Sequence, residues 1–190
     1  MTIKRKKAVP SLTRAPARIG PCITDGLSIR SGLSIRYGTG RDAPVILQMI
    51  RGLAEYEHLA HEVKATAARL RRDGAGRRPY FETLVCRRGR KIVGFALYFH
   101  TYSTFAGRPS LYVEDLFVLP EERGQGAGKA LLGALARIAL LRGCGRMEWV
   151  VLRENEPAIR FYERIGAKLQ EEWIVTRLGG IALRRLAKGR

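Results

Sequence analysis

The sequence predicts an α/β fold in which helices cover the faces of one mixed β-sheet. Three observations carry this prediction. Strand-like and helix-like segments alternate from residue 33 to residue 178. Residues 90–102 are apolar at nearly every position, as in a strand that is buried on both faces. The 190 residues, 46% of them hydrophobic, suffice for one compact domain with its own core.

The order of elements along the chain is expected to be β-α-α-β-β-β-α-β-α-β. Asp42 and Asn155 are predicted N-caps, and glycines are expected to turn the hairpin (Gly89) and to end the helix that Asn155 begins (Gly166). The predicted strands are 33–39, 80–89, 90–102, 110–118, 147–152 and 171–178, and the predicted helices are 42–59, 64–74, the stretch through the apolar stripe Leu131, Ala134, Leu135, Ile138 and Ala139, and 155–166.

Two segments flank the predicted domain of residues 33–180. Residues 1–32 carry three prolines and little periodicity, which predicts a flexible basic arm, and residues 181–190 form a basic tail. The arm contains the pentapeptide GLSIR at 26–30, which recurs at 32–36. The second copy begins the domain, and the first is expected to have nothing to pair with.

The net charge of +18 favours anionic ligands. The arm holds seven Lys and Arg against the single acid Asp25, and the rest of the chain still keeps about +12. Such a surface is also compatible with non-specific nucleic-acid binding, so charge alone does not decide between these classes.

Several classes of protein are not indicated. The chain has no run of about 18 apolar residues, which predicts no membrane span, and its basic start lacks the apolar stretch of a secretory signal. Three scattered cysteines form neither a disulfide framework nor a metal pattern, so a reducing, cytoplasmic location is expected. The segment EHLAHE (57–62) lacks the H-E-x-x-H order of zinc peptidases, and no metal is expected.

The glycine-rich stretch ERGQGAGKALL (122–132) resembles known phosphate loops only loosely. A Walker loop would need glycine in place of Arg123 and a hydroxyl in place of Ala130, and the spacing G-x-G-x-G differs from the dinucleotide fingerprint G-x-G-x-x-G. Glycines before a helix nevertheless bring main-chain N–H groups close to an anion, and Arg123 and Lys129 add positive charge. The alternative is a tight turn between a strand and a helix.

These residues also carry a family resemblance. R-G-Q-G-A-G is similar to the R/Q-x-x-G-x-G/A pattern of the GNAT superfamily of acetyl-CoA-dependent N-acetyltransferases. Over residues 33–178, four segments resemble the spermidine/spermine (diamine) acetyltransferases and their thialysine-acetylating relatives: LAEYEHL, IVGFALYFHTYSTF, LYVEDLFVLPEERGQGAGKALL and NEPAIRFYERIGA. The resemblance implies the GNAT acyl-CoA N-acyltransferase fold, acetyl-CoA as cosubstrate without a metal, a small cationic amine as acceptor, and a homodimer.

The resemblance also assigns residues to the coenzyme. Amides of one strand would pair with the pantetheine arm, the glycine-rich loop would hold the pyrophosphate, and the start of the next helix would face the coenzyme. These residues are Leu116, Phe117 and Val118, then Arg123, Gly124, Gln125, Gly126, Ala127, Gly128 and Lys129, and then Asn155, Glu156, Pro157 and Ala158.

An amine with a pKa near ~10 must lose a proton before it attacks a thioester, and the leaving thiolate needs one. Glu114 and Asp115 lie in mid-strand, where carboxylates are disfavoured without a partner or a task. The resemblance assigns amine binding and proton removal to Glu114. Asp115 should lie on the opposite face unless a bulge intervenes, as a structural or substrate-side carboxylate. Tyr162 by its pattern alone suits a core tyrosine, but the resemblance makes it the proton donor.

The acceptor side is expected to include an acidic patch. Tyr56 and Glu57 match the family's substrate-binding pair, and Glu55 and Glu62 lie near them, although a solvated helix face is the alternative. Further substrate contacts are expected from Glu148, Trp149 and Val150. Ser-Thr-Phe at 103–105 replaces the acid, proline and tryptophan of the polyamine enzymes, which weakens a long polyamine as substrate, and Tyr-Ser-Thr followed by an aromatic residue is similar to the thialysine-type relatives. The acceptor therefore stays open between a diamine or polyamine and a lysine-like amino acid.

Three other functions remain open at this point. A protein-lysine or aminoglycoside-type acetyltransferase would share the same residues. A basic nucleic-acid-binding module would act through residues 1–32. An acyl-CoA sensor would bind the coenzyme without turnover.

Overall fold

A computed structural model of the chain describes residues 27–29, 32–75 and 78–189. The chain forms two compact units, the first of which ends at Val150 and the second of which begins at Val151. The first unit holds the sheet and three helices, and the second holds two helices. None of the helices in the described part of the chain has the length and apolar content that a bilayer span requires.

The first unit is built on one six-stranded sheet whose strands lie in chain order. All neighbours are antiparallel except the last pair, which is parallel, so the predicted mixed sheet is confirmed. The strands are β1 (Leu27–Ile29), β2 (Leu33–Tyr37), β3 (Glu82–Arg88), β4 (Lys91–Ser103), β5 (Arg108–Val118) and β6 (Met147–Glu148). The predicted hairpin of β3 and β4 is confirmed, with Gly89 at φ 57° in its turn.

The helices follow the sequence pattern closely. They are α1 (Ala43–Tyr56), α2 (Ala67–Ala75), α3 (Ala127–Leu141), α4 (Glu156–Arg164) and α5 (Gly180–Ala187), and short 3₁₀ turns stand at 40–42, 60–62 and 120–122. Asp42 precedes α1 as predicted and receives hydrogen bonds from the main-chain N–H and the hydroxyl of Thr39. The predicted apolar stripe of α3 is buried.

Helices α1 and α3 cover opposite faces of the sheet. On the α1 side, a buried cluster contains Ile46, Met49, Val85, Phe95, Leu97 and Phe117. On the other side, a Cβ placed on Gly94, the neighbour of Phe95, would lie 3.5 Å from Leu131 Cδ1 of α3. Because successive strand residues face opposite sides, this contact places α3 across the sheet from α1. The predicted burial of β4 on both faces is therefore confirmed.

The GLSIR repeat corrects one expectation. The first copy pairs with the second, with Leu27 opposite Ile35 and Ile29 opposite Leu33. The expectation that it has nothing to pair with is wrong, because residues 27–29 pair with β2 as an antiparallel strand. The rest of the predicted arm, residues 1–26, 30 and 31, lies outside the described residues.

Two predicted strands differ from the structure. The strand predicted at 147–152 is limited to Met147–Glu148, and residues 171–178 form no strand. Instead α5 begins at Gly180, where a basic tail was expected. The run Trp173, Ile174 and Val175 has β-forming side chains, but a strand also needs a neighbour for its main-chain hydrogen bonds, and the second unit contains none among its described residues.

Candidate active site

A β-bulge in β5 shapes the region of the predicted catalytic carboxylates. In the ladder of β4 with β5, Leu97 pairs with Asp115, whereas its neighbour Tyr98 pairs with Val113. Glu114 is therefore an extra residue without a partner position on β4, which defines a bulge. Strict alternation along β5 would put Glu114 and Asp115 on opposite faces of the sheet unless a bulge intervened. The bulge is present, and it breaks this alternation.

The bulge concentrates negative charge. Burial, with smaller contributions from the nearby carboxylates of Glu114 and Glu57, raises the pKa of Asp115 to about 6. Burial also raises the pKa of Glu57, which is half-buried at the end of α1, whereas Glu114 is exposed. A carboxyl group with a pKa just below neutrality can accept a proton at pH 7 and attract a cation. Among the described residues, no cluster of His, Cys, Asp and Glu is arranged as metal ligands.

The end of α1 brings Tyr56 and Glu57 to this region. His58 N donates to Glu55 O at 3.1 Å and Leu59 N donates to Ala54 O at 2.7 Å, which is the hydrogen-bond pattern of a Schellman cap. The cap requires a left-handed residue, and His58 supplies it with φ 60° although it is not glycine. The helix thus ends abruptly directly after the predicted substrate-binding pair.

Arg123 makes a contact that the sequence did not predict. Its guanidinium carbon lies 4.7 Å from the centre of the Tyr56 ring and 5.6 Å from that of Phe117. Its Nε donates to the main-chain oxygen of Val118 at 3.1 Å. Arg123 therefore links the glycine-rich loop to the Tyr56 ring at the end of α1. No sequence pattern distinguishes this position from one that points into solvent.

One edge of β5 is open beyond its short pairing with β6. The parallel pair includes only Leu111 with Met147 and Tyr112 with Glu148. Further along the chain, Leu119 N donates to Val93 O of β4 at 2.9 Å. Counted back from Leu119, the direction of the main-chain N–H and C=O groups alternates at each residue. The N–H and C=O groups of Phe117 therefore point toward β4, and those of Leu116 and Val118 point away from it.

The glycine-rich loop between β5 and α3 has the form of an anion cradle. Gly124 and Gly126 have φ values of 73° and 88°, and a Cβ on either would meet nothing within 4 Å. The main chain here is thus open to a ligand, and α3 begins at Ala127 with its N–H groups directed toward the loop. Gly128 is half-buried, and Lys129 is exposed in the first turn.

The loop is fixed to the β3–β4 hairpin by Arg88. Its Nε donates to Glu122 Oε2 and its Nη2 to Gln125 Oε1, each at 2.9 Å. Gln125 Nε2 in turn donates to Glu121 O at 3.1 Å. The Gln125 side chain is thus engaged in hydrogen bonds on both of its polar atoms.

Glu148, Trp149 and Val150, which were predicted to contact the substrate, lie at the end of the first unit. Glu148 pairs with Arg146 at 2.9 Å, so its charge is already partly compensated. Trp149 is half-buried, and Val150 is exposed. The predicted strand 147–152 included Trp149 and Val150. In the structure, both residues follow β6 and lie outside the sheet.

The second unit contains the predicted proton donor. Asn155 Oδ1 accepts from Ala158 N at 3.3 Å, which confirms the predicted N-cap of α4. Glu156 pairs with Arg160 at 2.8 Å, and Pro157 lies in the first turn of α4. Tyr162 is half-buried, and its ring centre lies 5.4 Å from that of Phe161. Gly166 follows the helix end at φ 90°, as predicted.

Known proteins share both the sequence and the fold. Residues 46–167 match the acetyltransferase (GNAT) family. The chain is 39% identical to thialysine N-epsilon-acetyltransferase of Mus musculus over 164 residues, which cover 80% of this chain and 96% of the relative. It is 42% identical to L-ornithine N5-acetyltransferase of Arabidopsis thaliana over 97 residues, which cover 51% of this chain and 42% of that protein.

The fold has solved counterparts as well. An integron cassette protein from the mobile metagenome of V. cholerae superposes with a TM-score of 0.70 and 26% identity, covering 83% of this chain and 98% of that structure. The predicted family resemblance is thus confirmed by sequence and by fold. A strand with a bulge and an open edge, followed by a glycine loop and a helix, stands within the matched residues. The chain belongs to the GNAT family of acetyltransferases.

Proposed function

We propose that this acetyltransferase transfers the acetyl group of acetyl-CoA directly to the primary amine of a small cationic substrate. The observation that carries the proposal is the carboxylate cluster of Glu57, Glu114 and Asp115 at the β5 bulge. In a chain of net charge +18, such a cluster supplies the local negative potential that a cationic acceptor needs.

Among cationic amines, we propose a basic amino acid of the thialysine type as the preferred acceptor. Relatives named for thialysine and for ornithine act on amino acids with a terminal amine. Ser103, Thr104 and Phe105 leave out the acid that a long polyamine would require, and Phe105 is 98% exposed at the β4–β5 turn. A diamine or polyamine is the second candidate within the same reaction.

The open edge of β5 and the glycine-rich loop fit acetyl-CoA. The main-chain groups of Leu116 and Val118 that point away from β4 suit the amides of a pantetheine arm, whereas those of Phe117 are directed to β4. The N–H groups from Gly124 to Gly128, with Lys129, suit the pyrophosphate. From the resemblance, Asn155, Glu156, Pro157 and Ala158 face the coenzyme as well. The bound thioester supplies the activated acetyl group.

On the acceptor side, the carboxylates bind the cation and remove its proton. Glu114 is exposed at the bulge, where it can contact the ammonium group and pass its proton to water. Asp115 increases the negative potential, and Tyr56 and Glu57 border the same region. Glu148, Trp149 and Val150 are proposed as further contacts to the substrate.

The transfer step also needs one proton donor for the departing thiolate. The neutral amine nitrogen forms a bond to the acetyl carbon, the bond from that carbon to sulfur breaks, and the nitrogen loses its second proton to solvent. The hydroxyl of Tyr162 gives its proton to the departing thiolate and regains one from water. Tyr162 receives this role from the family resemblance.

The test is release of free coenzyme A thiol from acetyl-CoA with lysine, thialysine, ornithine, putrescine, spermidine and spermine. Wild type, Tyr162→Phe and Glu114→Gln are compared, and Tyr80→Phe serves as the matched control because Tyr80 is 81% exposed. We expect turnover on thialysine, a loss of about 10²–10⁴-fold in kcat for Tyr162→Phe, and no change for Tyr80→Phe. Equal turnover by Tyr162→Phe and wild type would remove Tyr162 from the mechanism.

Other outcomes separate the alternatives. Turnover only on histone-like peptides or aminoglycosides would show the protein-lysine or aminoglycoside type. Acetyl-CoA binding without turnover on any amine would show a sensor. A nucleic-acid module predicts salt-sensitive DNA binding that disappears when residues 1–32 are deleted. We propose instead that residues 33–180, together with the paired strand Leu27–Ile29, carry the activity, so deletion of residues 1–26 alone should retain turnover.

We also propose that the protein acts as a homodimer. In its own unit, the run Trp173, Ile174 and Val175 is 72%, 85% and 71% exposed, and exposed apolar runs of this kind mark association surfaces. Light scattering coupled to gel filtration should give twice the 21.3 kDa chain mass. A monomer at micromolar concentration would contradict this proposal.

We propose a reducing compartment, the cytoplasm, as the place of action. Cys86 and Cys144 are both free thiols and both buried. Burial raises the pKa of the Cys86 thiol to about 11, which keeps it protonated and unreactive. Expression of a tagged chain followed by fractionation would test the location.

A further inference from the structure

The contact between Arg123 and Tyr56 joins two parts of the site with different proposed tasks. Arg123 begins the loop proposed to hold the pyrophosphate, and Tyr56 belongs to the acceptor side. The guanidinium nevertheless lies 4.7 Å from the ring centre of Tyr56 and 5.6 Å from that of Phe117. A cation of the chain itself thus covers aromatic faces that suit a cationic amine.

The same side chain also covers part of the open edge of β5. Arg123 Nε donates to Val118 O at 3.1 Å, and that carbonyl points away from β4. An amide N–H of a pantetheine arm would require this acceptor. Arg123 in the observed position therefore competes with both ligands of the proposed reaction.

We propose that Arg123 is an internal placeholder for the cation of the acceptor and that it couples the two binding events. In the absence of anion, its guanidinium occupies the Tyr56–Phe117 aromatic pair. When a phosphate group is present at the glycine-rich loop, Arg123 turns to it and exposes the aromatic pair to the amine. The inference rests on the proposed function, because it assigns the amine to the Tyr56 side.

The strength of the contacts supports such an exchange. Arg123 is exposed, and an exposed cation–π contact corresponds to roughly two- to fivefold in an equilibrium constant. A guanidinium–phosphate pair is charge-assisted and forms two parallel hydrogen bonds, so it is the stronger partner. The neighbouring Gly124, at φ 73° with open space around its Cα, allows the main chain to follow the side chain.

Calorimetric binding of thialysine, with and without saturating coenzyme A, tests the inference without any turnover. Coenzyme A carries the phosphates and no acetyl group, so no reaction occurs. For wild type, we expect coenzyme A to strengthen thialysine binding by roughly two- to fivefold, the range of the displaced contact. By linkage, thialysine must strengthen coenzyme A binding by the same factor.

Arg123→Gln should remove the coupling in a specific direction. The variant should bind thialysine without coenzyme A as tightly as wild type does with it, and coenzyme A should add nothing further. Arg51→Gln, an exposed charge change on α1, should behave as wild type and so controls for the altered net charge. Coenzyme A is kept above saturation for each variant, as judged from its own titration.

Four results would overturn the inference. Coupling of equal size in Arg123→Gln and wild type would show that the two ligands interact without Arg123. Weaker thialysine binding by Arg123→Gln in both conditions would show that Arg123 only holds Tyr56 in place. If wild type acetylates thialysine but shows no coupling, the inference fails alone, whereas absence of both coenzyme A binding and turnover would overturn the proposed function with it.

Discussion

Arg142, the residue after α3, forms a two-pronged ion pair with Glu82 at the start of β3. Arg142 Nη2 lies 2.9 Å from Glu82 Oε2, and Nη1 contacts Oε1. The side chains are only 5% and 23% exposed, and the guanidinium also lies 5.9 Å from the Tyr98 ring centre. Burial alone would raise the pKa of Glu82, but hydrogen bonding to Arg142 holds it below its usual value. The pair ties the end of α3 to the sheet.

Glu82→Gln should lower the free energy of unfolding by about 3 kcal/mol, because it leaves Arg142 buried without its counter-charge. Urea unfolding at pH 7 measures the change. The double variant Glu82→Gln with Arg142→Met should recover part of the loss. Asp73→Asn breaks the pair with its sequence neighbour Arg72, which is solvent-screened, and serves as the control with a much smaller expected change. Equal effects of Glu82→Gln and Asp73→Asn would contradict the prediction.

Asp42 should make the protein sensitive to acid. Arg36 donates two hydrogen bonds to it at 2.8 and 2.7 Å, and with Thr39 this holds the pKa of Asp42 at about 2, below its usual 3.8. Because folding lowers this pKa, the stabilisation is complete above about pH 4 and is lost as the pH falls toward 2. Asp42→Asn should cost about 2 kcal/mol at pH 7 and almost nothing at pH 2 in urea unfolding. A cost that does not vary with pH would assign the effect to shape and not to charge.

Asp115 should change the stability of the protein with pH in the opposite direction to Asp42. Its pKa is raised from 3.8 to about 6, so the folded protein holds the proton more tightly than the unfolded chain does. The free energy of unfolding therefore falls as the pH rises through this window. Asp115→Asn should be more stable than wild type by about 2 kcal/mol at pH 7.5 and equal to it at pH 4. Thermal unfolding at both pH values would show it, and a variant less stable at pH 7.5 would refute it.

His58→Gly should stabilise the protein by about 0.5–1 kcal/mol, because glycine adopts the left-handed conformation without the steric cost that a Cβ imposes. His58 has φ 60° in the cap of α1. His61→Gly, in the adjacent 3₁₀ turn, does not have this conformation and should give no gain. The midpoint of thermal unfolding is the measurement. A loss in His58→Gly would mean that the imidazole makes a contact stronger than the strain.

Features with a local cause were predictable from the sequence. The cap at Asn155 and the turn at Gly89 each depend on residues within a few positions, and both are confirmed. Asp42 stands at the predicted N-cap position of α1, but its carboxylate accepts from Thr39 and Arg36 and makes no cap hydrogen bond to the helix. The helix stripes were predictable for the same reason, since the apolar spacing alone determines which face is buried. The family match likewise followed from short segments.

Features that depend on distant pairing were not predictable. The segment Trp173–Val175 has the composition of a strand, but whether it forms one depends on a neighbour elsewhere in the chain. The bulge at Glu114 arises from the register between two strands, and one extra residue leaves no trace in the apolar pattern. The position of Arg123 over Tyr56 depends on side-chain rotamers, which the spacing of residues does not determine.

The self-pairing of the GLSIR repeat bears on whether other extended chains can add to the edge of the sheet. An outer strand of a sheet offers unpaired N–H and C=O groups to any extended chain, and proteins usually protect such edges. Here a duplicate of the strand's own sequence covers Leu33–Ile35, and the outer strand becomes β1, which is only three residues long. A very short outer strand offers few main-chain groups for edge-to-edge addition. A short duplication at the start of a domain can thus protect a sheet edge without any new sequence being selected.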